Sequence, residues 1–458
     1  MIRKPMKSSR LTLLYASAAF VAAAAFSFAS CTPDRGHILE LLPADSRAVA
    51  VINTDKLADE VPASSIGELS VLASGAKDGI VAVVSSSNAA RYSVMIPRNS
   101  GDFASALTDS GYTSVSDGAF DVYSRPDYPS VVVARDGSAV WQIDISRPAE
   151  FVASQLESAS STSVKSLKGV AEYIFSEPGT VTGALSQRAF GSSAPSSSDE
   201  CWYCFSGKQA DKVLSIDFSL MEASGKPIDI KGVQTLSTDF LRYVPQSAGV
   251  YAAVGLTDQV DWDAAGRMVT SFAGTGVANY VNALMPYLKA IDGTVALAVM
   301  PKSPESVASW TDPYAWNLFL MARMPQSQVK DALNTVVLLA NMAGAGVEDA
   351  ADGIKSITVN DMTFYVGMVD GNFTLSTYLP DGKAQNSLAP TFSGKSGAMY
   401  ADVPATIAFP DGEVQDSHMI LSIQLEDAGG MIRMEFPGAS VTPLEILSRA
   451  GMSRMPGF

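Results

Sequence analysis

Five short patterns occur in the same order in the two halves of this chain, and such self-similarity constrains the fold more than any single motif. The first is a Pro-marked turn feeding an apolar strand. It reads Leu41-Leu42-Pro43-Ala44-Asp45-Ser46 and then Ala48 to Asn53, and again Tyr243-Val244-Pro245-Gln246-Ser247-Ala248 and then Val250 to Val254. The second is a strand followed by a helix, Tyr92 to Ile96 with Ser100 to Leu107, and Asn317 to Met321 with Ser327 to Leu333. The third sets Val115-Ser116-Asp117-Gly118-Ala119-Phe120-Asp121-Val122 beside Val359-Asn360-Asp361-Met362-Thr363-Phe364-Tyr365-Val366. Both halves of that match read as strand, polar turn and strand with apolar residues at period two. The fourth is the turn pair Asp136-Gly137 and Asp370-Gly371, each between apolar runs. The fifth is a hairpin near each end: Trp202–Ser206 with Val213–Ser219, and Met419–Leu425 with Met431–Phe436.

Strands joined by hairpins with helices interspersed predict an α+β chain. The expectation is two related modules from an internal duplication, each with a mainly antiparallel sheet and packed helices. The parts are a signal peptide at 1–30, a lipidated tether at 31–38, a first module at 39–235 and a second at 236–458. Ser192 to Ser198 is too polar to pack and reads as a loop. Thr442-Pro443-Leu444-Glu445 carries the signals of a helix start: a capping Thr, Pro at the first helical position and Glu at the third.

The first thirty residues have the layout of an export signal. Arg3, Lys4, Lys7 and Arg10 precede an uncharged apolar run from Leu11 to Phe28, and the segment closes on Phe28-Ala29-Ser30-Cys31. Small residues before a cysteine suit a peptidase that accepts only slim side chains next to the scissile bond. The pattern resembles the lipobox of bacterial lipoproteins, with Phe28 where that family usually has Leu. The resemblance implies diacylglycerol on the Cys31 thiol and cleavage before Cys31. Several acyl chains together make a stable anchor, where one binds only marginally. An uncleaved anchor and ordinary secretion are the competing readings.

The precursor carries 32 basic and 47 acidic residues; removal of the four basic residues of the signal leaves 28 against 47, a net charge of −19. So acidic a chain is repelled by nucleic acid. An apolar content of 47% excludes a disordered chain.

With the Pro43-Ala44-Asp45 turn, the Val51-Ile52-Asn53 strand end and the lipobox in view, the mature chain resembles the large lipoproteins of unknown function found in Bacteroidetes. That resemblance implies a periplasmic or cell-surface lipoprotein. It brings no activity and no catalytic residue. Thr32-Pro33-Asp34-Arg35-Gly36 lacks the acidic cluster usual for surface display, which points to the periplasmic side, of the outer membrane, with surface exposure as the alternative.

Few residues invite chemistry. Cys201-Trp202-Tyr203-Cys204 could be a redox pair, but no helix follows to lower a thiol pKa. In a strand the two cysteines lie on opposite faces about 10 Å apart, beyond disulfide reach, as small apolar residues. Trp310, Tyr314 and Trp316 flank Asp312-Pro313 and could stack on a sugar or a partner; alternatively Trp316 starts a strand and the others pack over it. Asp258, Asp261 and Asp263, and Glu348, Asp349 and Asp352, lack the spacing of a calcium loop. Of the two histidines, His37 falls in the tether, and His418 beside Ser417 and Asp416 has no nucleophile elbow. No metal site, cofactor or catalytic residue is expected. The reading is a lipid-anchored, non-catalytic envelope protein that binds a protein or glycan, with a carboxylate-based envelope hydrolase as the alternative.

Overall fold

The computed structural model describes residues 35–53, 76–84, 91–97, 100–176, 179–186, 201–210, 212–247, 249–260, 262, 285–303, 313–359, 361–408, 414–426, 428–440 and 442–446. The signal segment, Cys31, the 192–198 loop and Trp310 lie outside them. The chain divides into two compact units. One comprises residues up to Ile228 with 407–415 and 438 onward; the other comprises 229–406 and 416–437. Residues 442–446, expected in the second module, belong with the first unit: the Leu444 N–H donates to Gln209 Oε1 at 2.8 Å.

The first unit opens with helix α1 (Arg35–Glu40) and strands β1 (Ala48–Ile52), β2 (Ala76–Val84) and β3 (Arg91–Pro97). Helix α2 (Ser100–Asp109) leads to a meander of β4 (Thr113–Asp117), β5 (Phe120–Ser124), β6 (Ser130–Ala134) and β7 (Val140–Ile143). Helices α3 (Pro148–Ser161) and α4 (Lys168–Ser176) precede β8 (Val181–Ser186), β9 (Cys201–Ala210) and β10 (Val213–Glu222). In the second unit a short strand β11 (Val233–Gln234) and a 3-10 turn at Asp239–Tyr243 lead into β12 (Gly249–Leu256), β13 (Gly293–Pro301) and β14 (Trp316–Ala322). Helix α5 (Gln326–Met342) is followed by β15 (Gly346–Ala351), β16 (Ile354–Val359), β17 (Met362–Val369) and β18 (Asn372–Ser376). Helix α6 (Ala389–Phe392) precedes β19 (Gly397–Ala408), β20 (Val414–Glu426) and β21 (Gly429–Glu435).

Both units lay their strands out in one order. In the first, the sequence across the sheet is β4–β5–β6–β7–β3–β2–β1–β8–β9–β10. In the second it is β15–β16–β17–β18–β14–β13–β12–β19–β20–β21. The first, second, fourth and fifth sequence patterns fall on elements that hold the same place in these two orders. The third does not. Residues 115–122 form the β4–β5 hairpin, whose counterpart is β15–β16 with its turn at Asp352-Gly353, whereas 359–366 spans the next hairpin, β16–β17.

The expectation of an α+β fold with packed helices is corrected. Among the described residues the protein is built mainly of antiparallel sheet, with 21 strands, 46% strand and 24% helix. The reason is visible in the cover of the second sheet. Its Tyr251, Ala253, Ala296, Ala298 and Phe319 pack against Phe240, Leu241, Tyr243 and Val244 of the 3-10 segment and against Leu388 and Phe392, while the long helix α5 covers a smaller group, with Val329 and Leu333 beside Val295, Ala322, Met368 and Phe373. In the first unit α1, α3 and α4 contribute Ile38, Leu39, Val152, Val170 and Ile174 to a core with Val49, Val51, Val83, Val94, Trp141 and Trp202.

Residues 35–38, placed in the tether by the sequence, are the start of helix α1, the first element among the described residues. Ile38, Leu39 and Leu42 have no exposed surface, so burial of apolar area fixes α1 to the unit. Glu40 of this helix pairs with Lys165. The following Pro turn is closed by Ser46, whose hydroxyl donates to the Pro43 carbonyl at 2.7 Å.

Candidate functional site

The strand geometry decides most of the residues singled out in the sequence. Cys201 and Cys204 are free thiols on β9, hydrogen-bonded between β8 and β10. They stand three apart in an extended strand and so face opposite ways. Cys204 is fully buried in the core of the first unit, and burial, with a lesser contribution from the charge of Cys201, pushes its thiol up to about 12. Burial raises Cys201 as well. A redox pair needs a depressed pKa and a reachable partner, and this one has neither.

Tyr314 sits in the 3-10 turn Pro313–Ala315 and is exposed, while Trp316 is the first residue of β14 and is buried. Glu348 and Asp349 lie on β15, with Asp349 paired to Lys355 at 2.6 Å, and Asp352 occupies the following turn. Asp258 is exposed, and Asp261 and Asp263 fall outside the described residues. Among the described residues no three His, Cys, Asp or Glu side chains gather as metal ligands.

His418 Nδ1 lies 3.1 Å from Asp402 Oδ1 across β19 and β20. The pair is half a triad in appearance, but Ser417 is its strand neighbour and points to the other face. The Ser417 hydroxyl is buried and donates to the Pro437 carbonyl at 2.9 Å. No hydroxyl nucleophile is therefore presented to the imidazole by Ser417. His37, placed in the tether by the sequence, lies on α1.

One polar cluster was missed by motif reasoning. The 3-10 turn Asp239–Tyr243 buries Phe240, Leu241 and Tyr243 and leaves Arg242 at the surface. Opposite it, Asp370 takes a positive φ of 48° in the β17–β18 turn, with Gly371 at 80°. The Asp370 carboxylate accepts hydrogen bonds from the Arg242 guanidinium and the Tyr243 hydroxyl. Arg242 also covers the Tyr243 ring at 4.9 Å. Tyr243 stacks on Phe319 at 6.3 Å, Phe319 stacks on Tyr378 at 6.4 Å, and the Tyr378 hydroxyl donates to the Tyr243 carbonyl at 2.9 Å. Burial first, then the adjacent Asp370, push the Tyr243 hydroxyl up to about 12. Asp370-Gly371 and Tyr243-Val244-Pro245 are both readable as turns, but no local spacing links residues this far apart in the chain. Chemically the cluster is a clamp: its donors and acceptors hold the β17–β18 turn to the segment entering β12.

The strand that follows the Asp370 turn carries a buried polar atom of another kind. Thr374 of β18 is 2% exposed and its hydroxyl has no hydrogen-bond partner among the described residues. Its main-chain neighbours across the sheet are Gly367 and Met321.

No family model, no curated protein and no solved structure matches this chain.

Proposed function

We propose that the protein is a bacterial envelope lipoprotein, anchored through lipid on Cys31 at the periplasmic face of the outer membrane, that acts by binding an envelope protein or glycan and not by catalysis. The segment from Arg3 to Cys31 carries this reading: a basic start, an uncharged apolar run and small residues directly before a cysteine. The resemblance to the large Bacteroidetes lipoproteins supports it. The non-catalytic half is supported by the state of the reactive groups. Cys204 is a buried thiol, Ser417 is bonded to a carbonyl, and Asp370 is engaged by Arg242 and Tyr243. The common strand order of the two units supports an internal duplication, which would give a binding protein two related surfaces.

The test is metabolic labelling of cells with an alkyne fatty acid, comparing the natural chain with Cys31→Ala. The natural chain is expected to carry label and to sediment with membranes; Cys31→Ala is expected to lose the label. Equal labelling of both chains would refute lipid attachment at Cys31. Protease treatment of intact cells separates the periplasmic face, where the chain stays protected, from surface display.

A further inference from the structure

We infer that the first unit is held directly against the membrane, with the corner formed by α1, the 3-10 turn Val164–Ser166 and the start of α4 facing phospholipid headgroups. The inference rests on lipidation of Cys31 as proposed above. It follows from how little chain separates that residue from the fold.

Helix α1 begins at Arg35, four residues after Cys31. Four residues of fully extended chain span at most about 14 Å. The headgroup region alone accounts for roughly 5–8 Å on each side of a bilayer. Helix α1 cannot be paid out as extra spacer, because Ile38, Leu39 and Leu42 are fully buried in the core of the unit. A small domain is about 30 Å across, so a 14 Å leash cannot let the unit stand off by its own diameter.

The surface nearest the leash is then set by what packs beside α1. The Leu42 carbonyl accepts from the Val164 N–H at 2.8 Å, and Glu40 pairs with Lys165. Around this contact Ser166, Lys168 and Glu172 are exposed. Lys165 and Lys168 offset Glu40 and Glu172 here, in a mature chain whose net charge is −19 after loss of four of its 32 basic residues against 47 acidic. A corner whose charges balance is repelled less by an anionic lipid surface than the acidic remainder of such a molecule.

The experiment uses the acylated full-length mature protein in phosphatidylcholine–phosphatidylglycerol vesicles bearing a rhodamine headgroup acceptor. A donor dye is placed on Ser166→Cys and, separately, on Val115→Cys of β4 and Thr108→Cys of α2, each in a Cys201→Ser background. All three positions are exposed, so each variant is expected to fold. Energy transfer is expected to be greatest from position 166. A flexible Gly/Ser insert of roughly 20 residues after Pro33, with a root-mean-square span of roughly 22–27 Å, is expected to abolish that excess. Equal transfer from the three positions, or an excess at 166 that survives the insert, overturns the inference. Mass spectrometry of the same samples reads acylation directly. A chain without lipid on Cys31 overturns the anchoring reading and this inference together; an acylated chain with equal transfer overturns this inference alone.

Discussion

Thr374 sits where a hydroxyl is hard to justify, buried and without a hydrogen-bond partner among the described residues. A buried polar group without a partner costs about 1–3 kcal/mol relative to one that is satisfied. Thr374→Val keeps the shape and removes the group, so it is expected to stabilise the protein by about 1 kcal/mol in urea unfolding. A loss of stability would show that the hydroxyl has a bonding role. The cysteines give a second prediction at this scale. Because the Cys204 thiol is buried and raised to about 12, a colourless thiol reagent near neutral pH is expected to leave it unmodified until denaturant is added. Its inertness was legible in the sequence, since spacing in a strand already separates residues 201 and 204. The partnership of Asp370 with Arg242 and Tyr243 was not, because it depends on long-range packing.

Elements show the same division between local and distant information. The Thr442 cap was readable, and the Glu445 N–H does donate to the Thr442 hydroxyl at 3.3 Å. The free thiols fell on a strand, and Trp316 began one, as period-two patterning implies. The third repeat pattern slipped by one hairpin for a physical reason. Every hairpin of a meander reads as strand, polar turn and strand, so pattern alone cannot choose between successive ones. Balance between sheet and helix also escaped the sequence, because a sheet face can be covered by an irregular segment such as 238–246 as well as by a helix. Strand β8 offers a test of packing at this scale. A Cβ at Gly183 would lie 2.5 Å from the Val49 carbonyl oxygen and 2.6 Å from the Phe205 ring. Gly183→Ala is expected to destabilise by about 1–3 kcal/mol or more, read as a lower urea midpoint. An unchanged midpoint would show that β1 and β9 can move apart there.

For the molecule as a whole, raised pKa values set the response to alkali. An unfolded thiol gives up its proton near pH 8.5, whereas folded Cys204 keeps it to about 12. Between those values the unfolded chain binds fewer protons, so stability is complete below about pH 8.5 and falls as pH rises. Buried Tyr92 and partly buried Tyr378, both raised above 10.0, extend the decline upward in the same direction. Each group contributes up to about 1.4 kcal/mol per pH unit within its window. The urea midpoint is expected to drop between about pH 9 and 11, and Cys204→Ala to flatten the first part of that drop. A midpoint independent of pH over that range would contradict the assignment.

Strands β4 and β15, at one end of the two strand orders, have a consequence for handling the purified protein. Among the described residues β4 pairs only with β5 and β15 only with β16, and both are exposed along almost their whole length. An open strand edge is a template for another chain. Strand β15 carries Glu348 and Asp349 and a break in register, which discourage such pairing. Strand β4 reads Thr-Ser-Val-Ser-Asp, with Val115 at its centre and 69% exposed. Concentrated protein is therefore expected to self-associate through β4, and Val115→Lys to raise the concentration at which light scattering first increases while leaving the urea midpoint within about 0.5 kcal/mol. Scattering onset unmoved by that change would direct attention to another surface.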